Sequence, residues 1–242
     1  FLSVILVGWI VLMMPICNNG GITPFDALFT AVSATCVNGL TTVNLSTGYS
    51  FLGQIAIAII TEIGAIGFVT FISFILNFKK KKMSLSETLL LSSALNDNHY
   101  GKLKQRLREV IKYTIVIQII GATLLAIDFI PRFGMKNGIW YSIFHSITAF
   151  CNAGFDIIGD KSLVMFSKNI YVNIVFIALM FLGSIGYFVI EDVISCIKKK
   201  SFLHISFHTK IVLTASIIIY LVSIVLLKIA EPNLSVLEAV FT

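Results

Sequence analysis

Five apolar runs decide what this 242-residue chain can become: Phe1–Ile16, Phe51–Phe78, Val110–Ile130, Ile170–Ile197 and Ile211–Ile229. Each is near or beyond the roughly 20 residues that cross a bilayer as a helix. A mean hydropathy of +0.94, with 12% charged and 57% apolar residues, departs from the balance of soluble domains. A soluble all-helical core is therefore the weaker reading. Phe1 has no Met and no basic stretch before it, so the first run is not an intact signal peptide. The chain reads as a fragment that begins partway into a helix.

The net charge of +6 would suit nucleic acid, but its distribution points to a membrane. Lys79–Lys82, Lys102, Lys104, Arg106, Arg108 and Lys112 lie between the second and third runs, and Lys198–Lys200 with Lys210 between the fourth and fifth. Residues 18–78 contain no Lys or Arg. The positive-inside pattern places both basic connections in the cytoplasm and the other connections outside, in a multi-pass protein of the cell membrane. Cys17, Cys36, Cys151 and Cys196 lack metal spacing and fall on both sides, so no disulfide framework is expected.

A motif then repeats 115 residues apart. Phe29-Thr30-Ala31-Val32-Ser33-Ala34-Thr35-Cys36-Val37-Asn38-Gly39-Leu40 aligns without a gap on Phe144-His145-Ser146-Ile147-Thr148-Ala149-Phe150-Cys151-Asn152-Ala153-Gly154-Phe155. Each copy lies between long apolar runs. The repeating unit reads as outgoing helix, short re-entrant helix, extended loop and returning helix. The re-entrant helices fall at about Pro24–Ala34 and about Ile139–Ala149. Thr23, Pro24 and Asp26 form a capping box with Pro at the first helical position; Asn137 is the expected cap of the second copy. Ser235 and Glu238 repeat the box, and Leu237–Thr242 echoes Phe25–Thr30, so a third unit begins at Lys210.

The fold class that follows is an all-α polytopic membrane protein built from tandem helix–pore loop–helix repeats, two complete and a third begun. Residues 1–78 form the first repeat and 79–108 a cytoplasmic linker with a short amphipathic helix at Met83–Gly101. Residues 109–197 form the second repeat, 198–209 a second linker, and 210–242 the start of a third repeat. Both complete units run in one direction, so they are related by an axis along the membrane normal. The returning helices share Gly64-Ala65-Ile66-Gly67 and Gly183-Ser184-Ile185-Gly186, which are read as close-packing positions.

Ions leave water only where oxygens replace their hydration shell, and converging backbone carbonyls supply these. Gly39 and Gly154 permit the backbone turns that aim neighbouring carbonyls inward. The candidate filter is the carbonyls of Thr35, Cys36, Val37, Asn38 and Gly39 with those of Phe150, Cys151, Asn152, Ala153 and Gly154. Phe150 and Phe155 would face outward and brace the loop. A pair of ordinary glycine turns is the competing reading.

These two stretches, the second continued to Asp156, resemble the first two filter loops of the Trk/Ktr/HKT potassium-transporter superfamily. Met83–Glu87 through Ala94-Leu95-Asn96 resembles the Ktr-type membrane subunit in particular. The resemblance implies four units around one pore, with a filter glycine from each selecting potassium. It also implies a homodimer of membrane subunits and a cytoplasmic nucleotide-binding regulatory ring. Where this chain has Cys36 and Asn38 the family's first loop usually has Thr, which loosens the preference for potassium over sodium.

Glu62, in mid-helix, has two readings: attraction of cations or proton-linked gating, and a neutral or paired carboxyl facing protein. Asp156 either draws cations to the outer mouth or is a solvated loop acid. Cys36 and Cys151 read as small side chains packed behind the loops. His99, His145, His204 and His208 have no ligand spacing, and Glu191 with Asp192 balances Lys198–Lys200. No nucleophile–base constellation or phosphate loop is present. The expected function is potassium uptake through a carbonyl filter, without enzymatic chemistry, cofactor or nucleic acid, K+ being the transported ion. A sodium-coupled or sodium-permeable cation transporter is the alternative, and a membrane-embedded enzyme or assembly subunit a distant third.

Overall fold

The computed structural model describes residues 1–67, 103–159, 162–198 and 205–231. The expected amphipathic helix at Met83–Gly101, the basic residues Lys79–Lys82, and the third-unit box and echo at Ser235–Thr242 lie outside these. The described residues form helices and no strand, with one isolated antiparallel bridge between Asn18 and Tyr49. They divide into two units, Phe1–Asp160 and Lys161–Thr242.

In the first unit α1 (Leu2–Met13), α2 (Pro24–Thr35) and α4 (Phe51–Ile66) pack on one another, and α3 (Leu45–Gly48) is a single turn between α2 and α4. Asn18 closes α1 by donating its amide to the carbonyls of Met13 (3.2 Å) and Met14 (3.1 Å). The start of α2 is the capping box that Thr23-Pro24-Phe25-Asp26 encodes: the Thr23 hydroxyl accepts from the Asp26 N–H, and the Asp26 carboxylate accepts from the Thr23 N–H. The same carboxylate accepts from the Thr42 hydroxyl, tying the start of α2 to the segment after its loop. Ala27, Ala31 and Ala34 form a small-residue face on α2 that joins Leu12, Tyr49, Ile57 and Phe144 in the buried core. Small side chains let this short helix sit deep among its neighbours.

Helix α5 (Leu103–Phe150) has Pro131 inside it and is broken at Gly134, whose φ of 79° is left-handed. Gly138 then packs on the backbone of Phe129 and Ile130, so the second limb folds back on the first. This corrects the expected cap: Asn137 lies within the helical second limb, because Gly134 makes the turn that a cap residue was expected to start. Arg132 and Asp128 pair at 2.7 Å just before the break.

In the second unit a 3-10 turn (Ser162–Phe166) precedes α6 (Ile170–Ser184), α7 (Tyr187–Lys198) and α8 (Phe207–Ala230). The expected continuous helix Ile170–Ile197 is corrected here: α6 and α7 meet at a bend of 104°. Gly186, at φ 82°, is the hinge residue. Gly67 ends α4 with a φ of 86° at the matching place in the shared Gly-x-x-Gly sequence. The last glycine of each motif therefore breaks its helix, while Gly64 performs close packing, since a Cβ there would overlap the Thr35 carbonyl.

Two described helices, Arg108–Phe150 and Phe207–Ala230, are long and apolar enough to cross a membrane, and the bent α6–α7 pair makes a third if taken as one span. Leu2–Met13 and Phe51–Ile66 are shorter apolar helices. Apolar side chains such as Ile217, Ile218, Ile219 and Leu221 stand exposed on α8. An exposed apolar surface of this extent suits hydrocarbon rather than water.

Candidate functional site: two matched loops

Helix α2 and the second limb of α5 end in the same hydrogen-bonded device. At the first, Val37 N–H donates to Ala34 O (3.2 Å) and Asn38 N–H to Ser33 O (2.9 Å). At the second, Asn152 N–H donates to Ala149 O (3.0 Å) and Ala153 N–H to Thr148 O (2.8 Å). These are the paired closing bonds of a Schellman motif, which needs a left-handed residue just past the helix. Val37 (φ 55°) and Asn152 (φ 57°) occupy that place. Gly39 (φ 79°) and Gly154 (φ 75°) follow two residues later with a second left-handed turn. All four positions respect the 115-residue offset of the sequence motif. Asn tolerates the left-handed region, whereas a β-branched Val there is strained.

The loops touch. A Cβ on Gly39 would overlap the carbonyl oxygen of Ala153 and lie 2.8 Å from its carbon, while a Cβ on Gly154 meets nothing within 4 Å. The structure thus seats the backbone of the first loop on that of the second. Among the candidate filter carbonyls, that of Thr35 is turned against Gly64 of α4 and that of Phe150 accepts the Asn152 side-chain amide at 3.3 Å. Cys36 is exposed and Cys151 is buried. Phe155 is buried in the core with Ile157 and Phe144, and Phe150 packs against its edge.

The side-chain struts of the two loops match only in part: the Thr30 hydroxyl, at the position of His145, donates to Asp26 O at 2.8 Å, in the place of the His145 contact with Tyr141 O. The Thr148 hydroxyl donates to Phe155 O at 3.2 Å, but the matched Ser33 hydroxyl is buried without a partner. His145, fully buried, contacts Tyr141 O through Nδ1 at 2.7 Å and Asp156 Oδ1 through Nε2 at 2.9 Å. The Tyr141 carbonyl can only accept, so Nδ1 is the donor in that contact. Asp156 also accepts from Ile158 N–H at 2.8 Å, so its carboxylate is built into the loop. Glu62 Oε2 accepts from Gln118 Nε2 at 2.7 Å and from the Cys151 thiol at 3.3 Å. Its position places it behind the second loop, facing protein.

Sequence reasoning missed His145 because it was tested for metal spacing. The available signal was its place in the repeat, with an acid eleven residues on, across the loop. Val37 was counted among the filter carbonyls, but its left-handed backbone was not foreseen, because a β-branched residue gives no warning of a positive φ. Among the described residues, no group of three or more His, Cys, Asp or Glu side chains is placed to hold a metal.

Residues 11–242 match the family described as TrkH, cation transport protein. The chain is 38% identical over its whole length to the potassium/sodium uptake protein NtpJ of Enterococcus hirae, covering 53% of that protein. It is 35% identical to the Ktr system potassium uptake protein B of Bacillus subtilis, over 96% of this chain and 51% of the relative. The corresponding protein of Vibrio alginolyticus is 33% identical over 96% of this chain and 50% of its own length. The chain thus spans about half the length of the curated relatives it matches.

Proposed function

Since this chain belongs to the TrkH family of cation transport proteins, we propose that it carries the first two filter loops of a potassium-uptake protein. The relatives are transporters and not enzymes, and this chain is read likewise. The observation that carries the proposal is the pair of loops with the same closing hydrogen bonds and left-handed glycines, in backbone contact at Gly39 and Ala153. Carbonyls of residues 36–39 and 151–154 replace the hydration shell of K+ as it passes, with no resident cofactor. The Thr35 carbonyl lies against Gly64, that of Ala153 against Gly39, and that of Phe150 accepts from the Asn152 amide.

In this reading each pore helix points its negative C-terminal end at the ion. The loops face the outside, the basic linkers the cytoplasm, and the repeats stand around a pseudo-fourfold axis in the cell membrane. The membrane potential drives uptake with roughly 2.3 kcal/mol per charge per 100 mV. Two relatives are named as parts of a Ktr system. By that likeness the subunit works in a multi-component system; a homodimer with a cytoplasmic nucleotide-binding ring is the assembly proposed for it.

A sodium-coupled or sodium-permeable mode is the second reading, favoured by the relative named for potassium and sodium and by Cys36 and Asn38 in the first loop. The test is ion uptake by the full-length protein in cells lacking their own potassium uptake, with and without Gly39→Ser. The filter reading expects a weakened preference for K+ over Na+ in the variant; unchanged selectivity counts against it. Stoichiometric Na+ entry with each K+ supports the coupled mode.

A further inference from the structure

A ring of hydrogen bonds closes behind the second loop. The Cys151 thiol donates to Glu62 Oε2 at 3.3 Å, and Gln118 Nε2 donates to the same oxygen at 2.7 Å. The backbone carbonyl of Gln118 accepts from the Ser146 hydroxyl at 2.7 Å. Ser146 belongs to the same helical limb that delivers Cys151, so the ring runs from the loop to α4, to the first limb of α5, and back to the second limb. Ser146 and Cys151 are buried and Glu62 and Gln118 half-buried.

One oxygen that accepts two donors ties the loop to two helices, and hydrogen bonds withdrawn from water hold a single arrangement more firmly than solvated ones. The post occurs once. At the spacing set by the two Gly-x-x-Gly sequences, the residue matching Glu62 on α6 is Phe181, which neither donates nor accepts through its side chain. Glu62 is thus a bespoke support for residues 150–154 and not part of the repeating unit.

We propose that Glu62, held by Gln118, is a positioning residue that sets the second loop through Cys151, and through Ala153 the first loop seated on it. The inference rests on the reading of residues 151–154 as a filter strand. It assigns Glu62 a role through geometry, distinct from attracting cations by its charge. Glu62→Gln keeps an acceptor at the same place; Glu62→Leu removes it; Gln118→Leu removes its anchor and leaves the charge.

The experiment uses the full-length protein and two readouts: K+ over Na+ uptake ratio in cells, and the rate of maleimide labelling of Cys151, located by peptide mass spectrometry. Positioning predicts that Glu62→Leu and Gln118→Leu each lower the ratio about tenfold and raise Cys151 labelling at least as much. Glu62→Gln, whose amide oxygen can accept both bonds, stays within about twofold of the parent on both. If Glu62→Leu does not accumulate, Gln118→Leu decides alone. Equal losses in Glu62→Gln and Glu62→Leu overturn the proposal in favour of a charge effect, and unchanged labelling in both Leu variants overturns it outright. A parent protein without K+ preference refutes the filter reading instead, while labelling still reports whether the ring holds the loop.

Discussion

Alanine at Gly39 and alanine at Gly154 are the same edit on paired positions, and the structure assigns them different costs. Both glycines are left-handed, at φ 79° and 75°, which disfavours an L side chain by about 1–2 kcal/mol. Only at Gly39 does the added carbon fall on another backbone, that of Ala153. Overpacking of this kind adds about 1–3 kcal/mol. The neighbour cannot yield freely, because the Ala153 N–H is bound to Thr148 O and the Asn152 N–H to Ala149 O. Gly39→Ala therefore costs about 2–5 kcal/mol against about 1–2 for Gly154→Ala. Strain of this size is relieved by moving the Ala153 carbonyl; if the loops form the proposed filter, about 1.4 kcal/mol of lost coordination corresponds to tenfold in ion preference. Both variants of the full-length protein should be compared for K+ over Na+ uptake in cells and for melting temperature in detergent. Gly39→Ala is expected to lose selectivity at least tenfold and to melt lower, with Gly154→Ala closer to the parent on both. Equal effects at the two positions, or a Gly39→Ala protein indistinguishable from the parent, refute the reasoning.

Four further outcomes are expected. In the full-length sequence the tenth residue after Phe241 is Gly, with a fourth copy of the motif beyond it; sequencing the longer reading frame checks this, and no nearby glycine sinks the four-unit pore. The Asp26 carboxyl is held below its ordinary range by hydrogen bonds from the Thr23 hydroxyl, the Thr42 hydroxyl and the Thr23 N–H. Its stabilising contribution is thus complete above the unfolded value of about 3.9 and drains as pH falls through the lower native one, so Asp26→Asn should flatten the acid limb of a melting-temperature-versus-pH curve. Val37→Asn, which installs the residue found at the matched position 152, should raise thermal stability by about 1 kcal/mol by easing a left-handed Val. Trp140→Phe removes the 2.7 Å bond to the buried Gln54 side-chain oxygen and should cost about 1–3 kcal/mol in chemical denaturation, since the acceptor is left unsatisfied.

The parts legible in the sequence were those with local causes. The α2 start is written in Thr23, Pro24 and Asp26, and the 115-residue repeat has its counterpart in four left-handed residues at the same spacing. The parts that escaped depend on chain returning from elsewhere. Gly134, not Asn137, turns α5, because the fold-back that puts Gly138 on Ile130 needs a left-handed residue, and a stretch holding Pro131, Gly134, Asn137 and Gly138 does not say which of them makes the turn. The 104° bend at Gly186 was hidden by the apolarity of both arms, which reads as one continuous span. For Glu62 the sequence announces a costly group at mid-helix but cannot name partners 56 and 89 residues away. Asp156 looked like a loop acid because its histidine partner sits on the far side of the loop.

The seat that Ala153 offers to Gly39 also imposes an order on biosynthesis. The first loop has its capping box, its closing hydrogen bonds and its own helix within some twenty residues, yet its final contact is with a carbonyl made 114 residues later. At translation rates of about 5–20 residues per second, that interval lasts roughly 6–23 s. Throughout it the first loop is in the insertion machinery or the bilayer with its backbone unsupported at Gly39. Maturation of the two loops is therefore not modular: the first is seated only when the second arrives, and a ribosome stalled between them leaves an unseated loop for membrane quality control to find.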